Sequence, residues 1–166
     1  MFKSAHHALQ FAYRVLNSPI VKTSSFNAGG VMSGHGELTP HDKHAQAAMI
    51  LSIVERNVDI NGQAYLKAHY GREFQGGANH RPVMDILFRI AVSSFPTGAH
   101  KRRGVEKLIE VYFGKNYSMK SAQMDLGGCN NRRYYEYKEW VNDAMDAVCR
   151  RAEDDACRAL ESAGLI

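Results

Sequence analysis

The chain has 166 residues, of which 45% are hydrophobic and 23% are charged. This length favours a single compact domain, or a body with one small appended module, and excludes most large multidomain enzymes; the apolar content also excludes a disordered chain. The net charge of +4 comes from 21 basic and 17 acidic residues and is compatible with an acidic partner such as nucleic acid.

The charge is unevenly distributed along the chain. Residues 1–80 carry 7 basic and 5 acidic groups, residues 81–140 carry 11 and 6, and residues 141–166 carry 3 and 6. Because phosphate binding needs a local excess of cations, we expect nucleic acid to bind the third quarter of the chain and to avoid its C-terminal end.

The N-terminal residues and the cysteines bear on the cellular compartment. MFKSAHHALQFAYR carries polar side chains where a signal peptide would have an apolar core, and no window approaches about 18 consecutive apolar residues. The three cysteines, Cys129, Cys149 and Cys157, form no CxxC pair, which argues against a disulfide framework and against a four-cysteine zinc site. These features predict a soluble cytoplasmic protein with reduced thiols and no membrane partner.

Helical signals begin near the N-terminus. Ser4 is placed to cap a first helix, and Asn17-Ser18-Pro19 is placed to end it. The apolar residues of this helix recur every three or four positions: Ala8, Leu9, Phe11, Ala12, Val15 and Leu16. The Gly- and Ser-rich residues 23–36 predict a long surface loop, a kind of segment that is often functional.

Three further helices are predicted before residue 100. Thr39 followed by Pro40 is typical of a helix N-terminus, and we expect this second helix to end near Asn57. Its apolar side is predicted to contain Ala45, Ala48, Met49, Ile50, Ile53 and Val54. A short helix over residues 62–70 and a fourth helix beginning near Pro82 follow. Since no segment shows sustained two-residue alternation of β-branched side chains, the pattern predicts an all-α fold.

Residues 101–166 predict a helix-turn-helix. An amphipathic helix over residues 105–113 is followed by Gly114 at its end, and Ser118 is placed to cap a short second helix. The pair Gly127-Gly128 allows the positive φ of a turn, after which Asn130 or Asn131 can cap a third helix.

The third helix of this region is predicted to be long. Its apolar residues lie three or four apart: Tyr137, Val141, Ala144, Met145, Val148, Ala152, Ala156, Leu160 and Ala163. A helix of this length needs a surface on which to bury that stripe, and Trp140 is a natural anchor. We therefore divide the chain into a helical body, residues 1–100, and a DNA-binding region, residues 101–166, whose long helix packs back on the body.

The start of this long helix carries the residue types that read DNA. Arginine makes bidentate hydrogen bonds to guanine and asparagine does so to adenine, and no acidic residue stands in the first turn before Glu136. Neighbouring lysine, serine and arginine side chains would contact phosphates. The predicted DNA-binding residues are Lys101, Arg102, Arg103, Lys120, Ser121, Asn130, Asn131, Arg132, Arg133, Tyr135 and Lys138.

A plain helical hairpin with a solvated basic face is the alternative interpretation. Two features depart from the usual helix-turn-helix pattern. Gln123 stands three positions before the Leu-Gly of the turn, where a small residue is usual, and the second glycine of Gly127-Gly128 lengthens the turn. The set of DNA-contacting side chains therefore depends on how the second and third helices are oriented.

Other constellations of reactive side chains are weaker. His41 and His44 could share a helix face near His35 and Asp42, but a metal site needs three or four converging ligands. The last helix carries four carboxylates that could in principle bind Mg²⁺ as in a nuclease: Asp143, Asp146, Asp154 and Asp155. A solvated acidic face is the simpler interpretation. No nucleophile elbow, Walker loop or dinucleotide fingerprint is present. We expect no cofactor, no metal and no catalysis.

Two segments carry a resemblance to a known family. SAHHALQFAYRVLNSPIVKTSSF, residues 4–26, and LIEVYFGKNYSMKSAQMDLGGCNNRRYYEYKEW, residues 108–140, together resemble the late-gene antitermination proteins Q of lambdoid phages, of the compact zinc-free type. The second segment is also similar to region 4 of bacterial sigma factors. The resemblance places the DNA-binding role on the start of the third helix, at Asn130, Asn131, Arg132, Arg133 and Tyr135, with Lys120 and Ser121 before it.

What the resemblance implies is a phage transcription regulator in the cytoplasm of a bacterial host cell. Such proteins bind double-stranded DNA beside the phage late promoter, in one or two copies. They engage RNA polymerase held with a sigma factor at a promoter-proximal pause, then travel with it so that terminator hairpins do not act. We expect the loop over residues 23–36 to face the polymerase, because a long Gly-rich loop can become ordered on a partner.

Two other functions would use the same DNA-binding region. A simple repressor or activator would need DNA alone. A small-terminase-like packaging protein would also carry a helix-turn-helix, but it would form large rings, so a monomeric mass in solution would count against it.

Overall fold

A computed structural model describes residues 2–17, 39–95 and 101–166. These residues form seven α-helices and one short 3₁₀ helix and contain no strand, so the predicted all-α fold is confirmed. Residues 23–36, for which the sequence predicts a loop, lie outside the described residues. The helices are α1 (Ala5–Asn17), α2 (Pro40–Asn57), α3 (Ile60–His69), the 3₁₀ helix (Glu73–Gln75), α4 (His80–Ser93), α5 (Arg102–Tyr112), α6 (Met119–Asp125) and α7 (Asn131–Ser162).

Side chains just before α2 and α3 cap the first turns of these helices. The Thr39 hydroxyl accepts a hydrogen bond of 3.2 Å from the backbone N–H of Asp42, and the Asp42 carboxylate accepts one of 3.2 Å from the backbone N–H of Thr39. These reciprocal bonds form a capping box, and the bonds from Thr39 lower the pKa of the Asp42 carboxyl. Asp59 accepts a hydrogen bond of 2.7 Å from the backbone N–H of Gly62, so α3 begins earlier than residue 62, where the sequence pattern placed it.

The long helix α7 is the central element of the core. It contacts α1, α2, α3, α4 and α5, whereas α6 packs on α5. The Phe95 ring packs against Tyr137 and Trp140, with ring centroids 5.6 and 5.5 Å apart. The chain termini also meet, because the backbone N–H of Phe2 donates a 2.9 Å hydrogen bond to the carbonyl of Leu165. One hydrophobic core therefore runs through the described helices.

Helices α3 and α7 approach closely at a glycine. A Cβ built on Gly62 would lie 3.0 Å from the Cβ of Ala152 and 2.6 Å from Cγ1 of Val58. Such distances are shorter than van der Waals contact, so a side chain at this position would require its neighbours to shift. The small residues Gly62 and Ala152 thus let the two backbones pack side by side.

The structure corrects two predicted faces of the helical body. In α2 the buried residues are Ala47, Ile50 and Val54, whereas Ala45 and Ala48 are exposed and Met49 is 45% exposed. Apolar residues surround most of α2, so the sequence pattern does not single out one face, and packing on α1 and α7 selects it. In α1, Leu16 is 42% exposed and Tyr13 is buried in its place.

Candidate nucleic-acid interface

Two asparagine side chains hold the start of α7. The Asn130 Oδ1 accepts a 2.9 Å hydrogen bond from the backbone N–H of Arg133 and so caps the helix. The Asn131 Oδ1 accepts a 2.7 Å hydrogen bond from Nε2 of Gln123, which ties α6 to α7. Gln123, the residue that departs from the usual motif, is therefore a bridge between the two helices. Both asparagines that were predicted to read bases therefore already accept a hydrogen bond from the protein at their side-chain Oδ1.

The turn between α6 and α7 depends on its two glycines. Gly127 has a φ of 100° and Gly128 has a φ of 79°, in the left-handed region that favours glycine. The backbone N–H of Gly128 donates to the carbonyl of Gln123 at 2.8 Å, and that of Gly127 donates to Met124 at 3.0 Å, which closes the C-terminus of α6. The backbone N–H of Gly128, the second glycine, thus donates one of the hydrogen bonds that end α6.

The side chain of Lys101 lies along this turn. A Cβ built on Gly127 would lie 3.4 Å from Cε and 3.6 Å from Nζ of Lys101. Lys101 precedes α5 in the chain, so the fold brings a cation from 26 positions away to the α6–α7 turn. Lys101 therefore lies beside the turn that leads into the helix carrying Arg132 and Arg133.

The outward side of the first turn of α7 presents arginine and tyrosine. The Arg132 and Arg133 side chains are 89% and 59% exposed, and Tyr135 is 58% exposed. Tyr134 faces the core instead and is 7% exposed. This alternation follows from the 100° rotation between successive helical residues. The structure therefore places three of the predicted DNA-reading side chains in solvent at a helix N-terminus.

Glu136 is a partner that the sequence interpretation missed. Its carboxylate accepts a 3.0 Å hydrogen bond from Nε of Arg132 and a 3.2 Å hydrogen bond from Nη1 of Arg133. These bonds from Arg132 and Arg133 lower the pKa of the Glu136 carboxyl. The i,i+3 and i,i+4 spacings in the sequence would have indicated both pairs. An incoming phosphate must compete with Glu136 for the two guanidinium groups.

Lys107 is a second residue of this region that the sequence interpretation missed. Its Nζ donates a 2.7 Å hydrogen bond to the hydroxyl of Ser121 and forms an ion pair with Asp125, and both groups belong to α6. Arg103 reaches the same carboxylate at 3.6 Å while its side chain stays 80% exposed. The bond from Lys107 lowers the pKa of the Asp125 carboxyl. Lys107 and Ser121 therefore join α5 to α6, and Arg103 borders the outer surface.

The structure separates Arg102 from the other predicted DNA-binding residues. Its guanidinium forms ion pairs with Asp85 of α4 and Glu106 of α5, and it lies over the Phe88 ring at 4.9 Å from the centroid. Arg81 adds a second cation to this network, 3.5 Å from both carboxylates. Because neighbouring helical residues diverge by about 100°, Arg102 faces α4 while Arg103 faces α6.

Two lysines complete the basic surface. Lys120 is exposed on α6 and Lys138 is partly exposed on α7, about one and a half helical turns beyond the arginines. Neither forms an ion pair within the part of the chain that the structure describes. Their ammonium groups are therefore available to an anionic partner.

The metal-binding alternatives are not brought together by the fold. Among residues 2–17, 39–95 and 101–166, no three side chains of the ligating types converge. His35 lies outside these residues. Asp146 accepts a 2.7 Å hydrogen bond from the Tyr112 hydroxyl, and Asp155 pairs with Arg158 at 2.7 Å. Cys129, Cys149 and Cys157 are free thiols whose pKa is raised by burial.

No protein family model, curated protein or solved structure matches this chain. Within the described residues, no helix has the length and apolar character that crossing a membrane requires. The candidate interface consists of a capped helix start, a two-glycine turn and exposed cations from α6, α7 and the segment before α5.

Proposed function

We propose that this chain is a transcription antitermination factor that binds double-stranded DNA sequence-specifically and associates with bacterial RNA polymerase. One observation supports the DNA-binding half of the proposal most directly. Arg132, Arg133 and Tyr135 stand exposed at the start of a helix, Lys101 lies along the turn that leads into it, and Lys120 is exposed on the helix before that turn. A helix N-terminus of this kind fits the major groove, where arginine reads guanine.

In the proposed complex, the side chains divide into readers and phosphate contacts. Arg132 and Arg133 leave Glu136 and turn to the DNA, while Tyr135 lies against a base edge. Lys101, Lys120 and Lys138 contact the phosphates. The exchange is favourable because an exposed ion pair is weakened by water and salt, whereas a guanidinium makes two parallel hydrogen bonds to guanine or phosphate.

Residues 108–140 support the proposal through their resemblance to antitermination proteins Q and to region 4 of sigma factors. The other resembling segment, residues 4–26, extends beyond the described part of α1. The polymerase-binding half of the proposal rests on these two segments. The expected contact loop, residues 23–36, supplies the surface to test by deletion.

A binding experiment tests the DNA-binding half. A footprint on the DNA downstream of its own gene, with and without polymerase, identifies the site. On that site, Arg132→Ala or Arg133→Ala should weaken binding roughly tenfold to hundredfold if the side chain reads a base. If it contacts phosphate, the change should mainly reduce the dependence of affinity on salt. Glu136→Gln should strengthen binding, because it removes the competing carboxylate.

The matched control is Arg89→Ala, which removes an exposed arginine of α4. It should leave DNA affinity unchanged. If both Arg132→Ala and Arg133→Ala also leave affinity and salt dependence unchanged, α7 does not read DNA.

A transcription assay tests the polymerase-binding half. With a strong terminator placed downstream of the footprinted promoter, the protein should raise read-through. It should do so even on a polymerase that has already escaped the promoter, which a repressor or a DNA-only activator cannot do. DNA binding without any increase in read-through would leave the simple regulator as the function of the chain.

A further inference from the structure

A cleft between α1 and the end of α3 lies apart from the candidate nucleic-acid interface. Its volume is about 690 Å³, within the usual range of small-molecule sites. The described lining residues include two arginines, two histidines and two side-chain amides, with three aromatic rings beside them, and none of these residues is acidic. The cleft is therefore both cationic and aromatic.

The aromatic side of the cleft is rigidly held. The rings of Tyr13 and Tyr70 are stacked with centroids 6.2 Å apart, and the His69 ring stands edge-on to Tyr70 at 4.7 Å. The Tyr70 hydroxyl is 2.8 Å from Nδ1 of His6 and donates a 3.3 Å hydrogen bond to Glu153. Because α1, α3 and α7 all fix Tyr70, its ring is in place before any ligand arrives.

Three carboxylates near the cleft have partners within the protein, and one of them, Glu153, accepts its hydrogen bond from Tyr70 itself. Glu55 and Glu73 are the two acidic groups that act electrostatically on Tyr13. Glu55 forms an ion pair with Lys67 at 3.3 Å, and Glu73 accepts a 3.1 Å hydrogen bond from the backbone N–H of Asn79. None of these three carboxylates pairs with Arg72, so its guanidinium keeps its charge for a ligand.

Arg72 is held in an unusual backbone conformation at the mouth of this cleft. Its φ of 56° and ψ of 28° lie in the left-handed region, and it is the one non-glycine residue of the described chain with a positive φ. Glycine adopts this conformation without steric cost, whereas a side chain does not. The turn is anchored by Asn17, whose Nδ2 donates a 3.1 Å hydrogen bond to the carbonyl of Gly71. Arg72 is exposed and forms no ion pair within the described residues.

We propose that this cleft binds a nucleotide unit. The phosphate pairs with the guanidinium of Arg72 and the imidazole of His7, and the planar base lies against the aromatic side at Tyr70. A guanidinium supplies a fork of donors that suits phosphate, and aromatic rings stack on any base. The nucleotide can be a free mononucleotide or one unit of a single strand, since both present the same phosphate and base.

The nucleotide site is distinct from the proposed DNA-binding site. Tyr70 contacts Glu153, which lies 20 positions after Arg133 on the same helix. At 1.5 Å per residue, the two sites are about 30 Å apart. The two proposals can therefore succeed or fail independently.

Calorimetric titration of the full chain tests this proposal with three probes: inorganic phosphate, AMP and a single-stranded octauridylate. AMP or the oligonucleotide should bind more tightly than phosphate, and the tighter of the two identifies the source of the nucleotide. Arg72→Gly should weaken that binding about tenfold, as expected for one charge-assisted contact. The same variant should melt at an unchanged or higher temperature, because glycine relieves the left-handed backbone.

Arg89→Ala serves as the control for net charge and should leave nucleotide binding unchanged. Duplex DNA binding should be the same for wild type and Arg72→Gly. Three outcomes would each overturn the proposal. The first is equal affinity for phosphate and AMP with no binding of the oligonucleotide, and the second is the absence of binding by all three probes. The third is an Arg72→Gly variant that binds like wild type.

Discussion

At the start of α7, one asparagine has two incompatible uses. Reading adenine requires both the Oδ1 and the Nδ2 of a single side chain, but the Oδ1 of Asn130 already accepts the backbone N–H of Arg133. An uncapped helix start would leave that N–H without its partner. We therefore assign Asn130 to the helix start and Arg132, which points into solvent, to the DNA.

Substitutions at Asn130 separate these two roles. Asn130→Ala should lower the free energy of unfolding by about 1 kcal/mol, because alanine cannot cap the helix. Asn130→Ser restores an oxygen acceptor and should keep both the stability and the DNA affinity. Urea unfolding and DNA titration measure the two effects. A serine variant of normal stability that binds DNA tenfold more weakly would show that Asn130 reads a base.

At the scale of elements, α5 and α6 are in unusually close contact. A Cβ built on Gly104 of α5 would lie 2.7 Å from the backbone nitrogen and side-chain carbons of Leu126, at the end of α6. Ala122, the small residue of α6, is 1% exposed. Because backbone atoms cannot retreat as a flexible side chain can, Gly104 sets the position of α6 beside α5.

Gly104→Ala should therefore displace α6. We expect the free energy of unfolding to fall by about 1–3 kcal/mol, as for overpacked core sites, and DNA affinity to fall with it. Gly114→Ala is the contrast, because its φ is 96° but its Cβ would meet no atom within 4 Å. This control should cost about 1 kcal/mol through the backbone alone and spare DNA binding. Equal DNA affinity for Gly104→Ala and wild type would refute the coupling.

The aromatic contacts of His69, at the end of α3, make the stability of the folded chain sensitive to pH. The His69 ring stacks on Tyr65 with centroids 5.8 Å apart and lies edge-on to Tyr70. These rings partly shield the exposed His69 side chain from water, which lowers its pKa below the usual value of 6.5 although Glu153 acts in the opposite direction. The unfolded chain therefore takes up a proton at His69 before the folded chain does, as the pH falls.

The sign of the linkage gives a prediction. The contribution of neutral His69 is fully present above pH 6.5, and it is lost progressively as the pH falls from 6.5 toward the lowered pKa of the folded state. The melting temperature of the wild-type chain should therefore decrease across this window. His69→Gln, which carries no titrating group, should show a shallower decrease. Parallel curves for the two proteins between about pH 7.5 and 5.5 would exclude His69 as the cause.

At the scale of the whole molecule, charge and core are arranged differently. One hydrophobic core joins the helices on both sides of residue 100. Three lysines without an ion pair in the described residues, Lys101, Lys120 and Lys138, lie on or beside α6 and the first turns of α7. The last part of α7 carries the acidic excess of residues 141–166. Duplex DNA should therefore approach one end of the long helix and be repelled by the other.

The salt dependence of DNA binding measures this arrangement. If the three lysines of the proposed complex contact phosphates, the slope of log affinity against log salt concentration should be about −3. The three are Lys101, Lys120 and Lys138. Lys120→Ala should reduce the magnitude of the slope by about one, whereas Arg102→Ala should leave it unchanged, because Arg102 pairs with α4. If Arg102→Ala reduces the slope as much as Lys120→Ala does, this assignment is wrong.

The sequence by itself determined the helices and most of their ends. Helix periodicity, the Thr39-Pro40 start and the glycines after α5 and α6 act within a few residues, so they can be recognised without the fold. The same holds for the exposed arginines of α7, which lie next to their cap.

Only the tertiary structure decided which faces are buried and which charges remain free. The buried side of α2, the pairing of Arg102 with α4 and the arrival of Lys101 at the α6–α7 turn depend on contacts between residues distant in the sequence. The cleft at Arg72 also needs α1, α3 and α7 to meet. Periodicity shows that a side chain has a preferred face, but the partner on that face is chosen by packing of the whole chain.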